Sequence, residues 1–286
     1  NEWVEYPVLH LDLNTANYID RNALVNRLSS TLNQWEDKYG SDARDIDLGT
    51  RFEGIIRRAY EKTGRRVVIL VDEYDKPMLH AIGNEELQNE YRSMLKGFYG
   101  VLKSMDSYIR FAFLTGVTKF SKVSIFSDLN NLNDISLGDD YSSICGISEE
   151  ELHRVFQLHV ERLAEYQKMT VDEAYAELKK RYDGYHFSKN SCGMYNPFSV
   201  LNALYKRDFG SYWFETGTPT FLVKLLKERD YNLERMANEE VDADTLNAID
   251  SMSNNPIPVI FQSGYLTIKS FDSEFDMYRL GFPNEE

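Results

Sequence analysis

The first half of the chain alternates short apolar runs with longer amphipathic stretches. Pro7-Val8-Leu9-His10-Leu11-Asp12-Leu13 alternates apolar and mixed positions and predicts a strand. Asn14 to Asn17 predict a turn. Helices follow over about 23–39 and 48–62, the second stopped by Gly64. Val67-Val68-Ile69-Leu70-Val71 is an unbroken branched apolar run, the pattern of a central strand buried on both faces. A helix over 85–105 and a strand over 108–115 follow. This alternation predicts an α/β fold whose parallel sheet carries helices on both faces.

The pattern changes after Gly146, which divides the chain into expected domains of residues 1–146 and 147–286. Ser148 with Glu151, and Thr170 with Glu173, are capping boxes that open helices near 149–168 and 171–182. A further helix is expected after Thr218, with Pro219 at its first position. Residues 258–282 predict strands broken at Gly264 and near Asp272 to Glu274, a small winged-helix-like hairpin region. Repeats and low-complexity segments are absent from the sequence.

Charge and cysteine content narrow the classes. Net charge is -14, which disfavours a broad nucleic-acid-binding face while leaving room for a local basic groove. Cys145 and Cys192 lie far apart and outside any C-x-x-C pair, so a disulfide framework or zinc site is not expected. With no apolar run long enough to cross a bilayer and no signal peptide at Asn1, the expected location is the cytoplasm. The chain begins without methionine, and both ends read as processing or cloning boundaries of a larger protein.

The run Val67–Val71 ends in Asp72-Glu73. An apolar strand delivering two adjacent carboxylates is the Walker B pattern of P-loop ATPases, because ligands of open parallel sheets bind beyond the carboxyl ends of the strands. Asp72 would hold the water shell of Mg2+, and Glu73 would polarise an attacking water. The bland alternative is a strand end leading into a helix at Pro77 with Asp75 as its cap. Thr115 ends the next strand and is the candidate sensor of the γ-phosphate; otherwise its hydroxyl bonds the turn at Gly116. Lys119 stands just beyond as a possible phosphate contact or a solvated loop lysine. None of the 16 glycines is followed by lysine, so the phosphate-cradling loop G-x-x-x-x-G-K-[ST] is not in this sequence. The expected architecture is therefore an incomplete P-loop ATPase-like core followed by a helical lid.

Several blocks together resemble an AAA-ATPase-like family abundant in anaerobic bacteria. They are Val67–Ala81, Leu114–Ser121, Ile125–Leu132, Tyr182–Phe187, Tyr195–Phe198 and Tyr212–Pro219. The resemblance implies a phosphate loop ahead of a stretch like Trp3–Leu13. It also implies a nuclease-like domain of the PD-(D/E)XK type after a stretch like Tyr278–Glu285. It implies ATP and Mg2+ as cofactors of the full-length parent, and a protein partner or the parent's own nuclease-like domain as the effector. Asp72 and Glu73 match the family's acidic pair. His186 is a candidate nucleotide contact from the lid, and Arg110, Arg154 and Arg162 are candidate arginine fingers. The competing expectations are a degenerate ATPase fold that serves as an interaction scaffold, and a nuclease built on Asp72, whose Glu73-Tyr74-Asp75-Lys76 sequel misses the (D/E)-x-K spacing by one residue.

Overall fold

The computed structural model describes residues 4–118, 125–126, 129–213, 239–247 and 255–286. Lys119, the run 216–219 and the helix expected after Thr218 lie outside the described residues. The chain forms two units, Asn1–Leu132 and Asn133–Glu286.

In the first unit, β1 (Val8–Asp12), β2 (Val67–Asp72) and β3 (Ile109–Leu114) form a parallel sheet in that order. Helices α1 (Arg21–Tyr39) and α2 (Leu48–Thr63) join the first two strands. The short α3 (Lys76–His80) and the long α4 (Glu85–Ser104) join the second and third. Asp20, Asp47 and Asn84 cap α1, α2 and α4 through their side chains, and Gly64 ends α2 in the left-handed conformation. Leu24, Leu28 and Leu32 of α1 are fully buried at helical spacing. Phe52 of α2 stacks on Phe98 of α4 at 4.7 Å between ring centres, with Trp35 at 5.6 Å from Phe52.

One expectation fails here. The sheet was expected to be covered on both faces, but among the described residues one face is only partly covered. Leu9, Leu11, Val67, Ile69 and Val71 are buried, whereas Val68, Leu70 and Phe113 are half-buried and Val8, His10 and Phe111 are exposed. Register aligns Val8, Val68 and Phe111 in one row and His10, Leu70 and Phe113 in the next. The cause is topological. Crossovers between parallel strands are right-handed, and two of them that step the same way across a sheet lay their helices on the same face. A helix reaches the other face only where the strand order reverses.

The second unit holds a helical bundle and a small antiparallel sheet. Helices α5 (Glu149–Gln167), α6 (Val171–Tyr182) and α7 (Pro197–Lys206) bury Leu152, Val160, Leu163, Leu178, Val200 and Ala203 against one another. Both capping boxes are formed. Strand β4 (Glu240–Asp242) and β5 (Thr267–Asp272) flank β6 (Met277–Gly281), and short helices α8 (Ala243–Asn247) and α9 (Ile257–Gln262) contribute to the same core. The stretch from Pro258 to Gln262, expected as strand, is helical. Pro256 and Pro258 stand at its start, where their fixed φ suits a first helical turn and their missing N–H costs nothing.

The last residues are bound into this unit. Ser199 Oγ donates to Glu286 at 2.7 Å, Trp213 N to the same carboxylate at 2.8 Å, and Asn284 Nδ2 to the Asp183 carbonyl at 2.9 Å. Pro283 passes so close to Gly184 that a Cβ there would sit 2.3 Å from the Pro283 carbonyl oxygen. Gly184→Ala is therefore expected to cost about 1–3 kcal/mol by overpacking, read as a lower midpoint in urea unfolding of the 286-residue chain.

Candidate functional site

The carboxyl ends of β1 and β2 lie side by side, with Asp12 in register with Asp72. Backbone bonds extend this edge past the strands. Leu13 N donates to the Asp72 carbonyl at 3.1 Å, Thr115 N to the Val71 carbonyl at 2.8 Å, and Tyr74 N to the Thr115 carbonyl at 2.9 Å. Asp72, Glu73 and Thr115 therefore share one rim.

Side chains then join them. Thr115 Oγ1 donates to Asp72 Oδ1 at 2.5 Å, and the Glu73 N–H donates to the same oxygen at 3.0 Å. Asp72 is exposed to solvent. Glu73 adopts φ +55°, the left-handed region that a residue with a Cβ occupies at a cost of about 1–2 kcal/mol. This turns its side chain out of the strand's alternation. Its Oε2 is buried without a hydrogen-bond partner. Burial raises the Glu73 pKa; Lys76 opposes this, and Asp75, Asp72 and Asp12 add to it.

Three further residues, Asp12, Arg27 and Asp75, join the rim. Asp12 Oδ1 accepts from Asn14 N at 2.7 Å, and Arg27 Nε donates to the Asp12 carbonyl at 2.8 Å. The third is Asp75, which was weighed only as a helix cap. It occupies the N-cap position of α3, but its side chain makes no capping bond. It is fully buried and accepts from Thr118 N and Thr118 Oγ1, each at 2.6 Å, and from Val117 N at 3.3 Å. Burial raises the Asp75 pKa, and the bonds from Thr118 oppose that shift. Gly116 makes the approach possible, since a Cβ at that position would lie 2.3 Å from Asp75 Oδ1. Tyr74 adds a bond from its hydroxyl to the Thr118 carbonyl at 2.9 Å. The segment after β2 and the segment after β3 are thus one bonded unit. The signal was the pair of blocks Asp72-Glu73-Tyr74-Asp75 and Thr115-Gly116-Val117-Thr118, with a polar residue three positions past the end of β2 and another four past the end of β3.

Other candidates are tied up locally. His186 N donates to Thr267 Oγ1 at 2.7 Å, and its Nδ1 lies 3.0 Å from the Gly184 carbonyl. The Tyr182 hydroxyl donates to the Gly210 carbonyl and the Tyr195 hydroxyl to Glu149, both at 2.9 Å, as packing devices. Cys145 and Cys192 are free and exposed. Among the described residues no group of three or more His, Cys, Asp and Glu side chains is arranged to hold a metal ion, and no helix is long and apolar enough to cross a membrane.

A mixed α/β unit with a parallel sheet, carrying adjacent acids at the carboxyl rim of its central strand, is consistent with an ATPase-like core. Residues 1–126 match the family model described as "Predicted AAA-ATPase", which supports an AAA-ATPase-like assignment for that part of the chain. The chain is also 38% identical over 283 residues to an uncharacterized protein in the vnfD 5′ region of Azotobacter chroococcum mcd 1. That alignment covers 98% of this chain and 52% of the relative, so the chain spans about half the length of the curated relative it matches. No solved structure matches.

The raised pKa of Glu73 has a consequence for stability. The folded chain holds this proton more tightly than the unfolded chain, so ionisation disfavours the fold as pH climbs past the ordinary value of 4.5. Glu73→Gln removes that penalty. The variant is expected to melt above the wild type at about pH 7.5, with the difference nearly closed at about pH 4. A difference independent of pH in calorimetric scans would contradict this.

Proposed function

We propose that this chain supplies the metal- and water-handling half of an AAA-like P-loop ATPase site, and that its full-length parent couples ATP hydrolysis to an attached effector domain. The observation that carries the reading is the bond between Thr115 Oγ1 and Asp72 Oδ1 beside a half-buried, unpaired Glu73 carboxylate. The rim fits Mg2+ in its donor chemistry. Asp72 offers an exposed hard oxygen, and Mg2+ keeps most of its waters and asks for only one or two carboxylates. When bound, the ion would neutralise charge on the β- and γ-phosphates.

Asp72 would hold the metal's water shell through its carboxylate. Thr115, bonded to Asp72, would report the presence of the terminal phosphate. Glu73 is turned away from Asp72 by its left-handed backbone, and its raised proton affinity suits a group that accepts hydrogen-bond density from water. Asp75 does not contact the reactants in this reading; it holds the Thr115 segment against the Asp72 segment. The phosphate cradle would come from a glycine-rich loop outside this sequence. The length of the relative leaves room for an effector domain in the parent.

The test uses a protein that carries this chain together with its phosphate loop. Glu73→Gln should retain ATP binding and slow turnover by about 10²–10⁴-fold. Asp72→Ala should abolish the Mg2+ dependence of binding. Unchanged turnover in the first variant would remove Glu73 from the chemistry, and unchanged metal dependence in the second would remove Asp72. The acidic rim of the 286-residue chain alone should hold MgATP no more tightly than about 1 mM, so Asp72→Ala should leave the MgATP affinity of the chain unchanged.

A further inference from the structure

The amino ends of the three parallel strands form the edge of the sheet opposite the acidic rim. The strands are about 20 Å long at their usual rise per residue, so chemistry at this edge is separate from that at Asp72. A groove of about 460 Å³ lies here, lined by Arg65, Arg66, Arg110, Tyr6, Tyr60 and Ser107 among others. Arg65 and Arg66 immediately precede β2, Arg110 is the second residue of β3, and Tyr6 lies just ahead of β1.

Three guanidinium groups converge in a chain whose net charge is -14, and none of them pairs with a carboxylate among the described residues. One backbone bond orients the first, from Arg65 Nη1 to the Glu5 carbonyl at 2.5 Å. It occupies one of the five donors that an arginine offers. The side chains of Arg66 and Arg110 make no hydrogen bond with the described residues. Clustered like charges repel, which favours an anion bound among them. Guanidinium forks match phosphate oxygens two at a time. The aromatic rings narrow the choice of anion. Tyr60 is held edge-on against Tyr108 at 5.2 Å yet remains 37% exposed, and Tyr6 is exposed to the same extent. A planar base can stack on such a ring while its phosphate meets the arginines.

We propose that this groove binds the phosphate and base of a nucleotide, either free or within a single strand. The footprint is short, because three arginines line the groove. The inference does not depend on the ATPase reading of the opposite edge.

The test is a titration of the 286-residue chain with AMP by calorimetry and with a fluorescent oligothymidylate of about eight nucleotides by anisotropy, at about 50 mM salt. Binding of either probe supports the proposal, provided that Arg66→Gln with Arg110→Gln weakens it at least tenfold while the melting temperature holds. A response to the oligonucleotide alone assigns the ligand to a strand, and a response to AMP assigns it to a free nucleotide. For the strand, the logarithm of affinity should fall against the logarithm of salt with a slope of about -2, as three phosphate contacts on a single strand require. Tyr60→Leu should weaken AMP more than inorganic phosphate. The proposal is overturned if neither probe binds, if the double arginine variant binds as well as wild type, or if an oligoglutamate peptide competes equally. It also fails if Asp72→Ala removes binding where the arginine changes do not.

Discussion

The carboxylate of Asp75 is the constraint on which the acidic rim depends. A charged group removed from water is costly unless the protein replaces its solvation. Here the replacement comes from the backbone of Val117 and Thr118 and from the Thr118 hydroxyl. Those donors can reach the carboxylate only because residue 116 has no side chain. The buried acid therefore fixes where the chain travels after β3, and with it the position of Thr115 beside Asp72. A loop at a sheet edge would otherwise be among the most mobile parts of such a fold. In this protein it is fastened by groups that make no contact with a reactant.

The two acids at the end of β2 have different surroundings although they are neighbours in sequence. Asp72 continues the strand, faces solvent and accepts two hydrogen bonds on one oxygen. Glu73 leaves the strand through a left-handed backbone, and one of its oxygens is shut away without a donor. Separation of environment is how adjacent carboxylates come to differ in proton affinity. For Glu73 the rise in proton affinity comes first from that burial, and Asp75, Asp72 and Asp12 add to it.

Much of this was legible in the sequence, and the rest was hidden for identifiable reasons. The parallel strands, the long helices and both capping boxes follow from periodicity and from short-range capping chemistry, which act over a few residues. Asp72, Glu73 and Thr115 were readable as strand ends, and the structure brings those three onto one rim. The role of Asp75 was not readable, because its partners lie about forty residues away (Asp75 to Thr118) and only the fold brings them together. The left-handed turn at Glu73 was hidden for a related reason: no glycine or asparagine marks it. The half-open face of the sheet was misread because Val67–Val71 is equally apolar at odd and even positions. Composition records how much apolar surface a strand owns, whereas the direction of successive crossovers decides which of it is covered. The groove of arginines was likewise invisible, since Arg65 and Arg110 come together only when β2 and β3 pair.

The row Val8, Val68 and Phe111 has a consequence for how such a protein must be assembled. Because the chain winds in one direction only, its described residues leave a ladder of valine and phenylalanine partly facing water. Wet aromatic surface of this kind adheres to whatever apolar surface arrives first, and at high concentration that surface belongs to a neighbouring molecule.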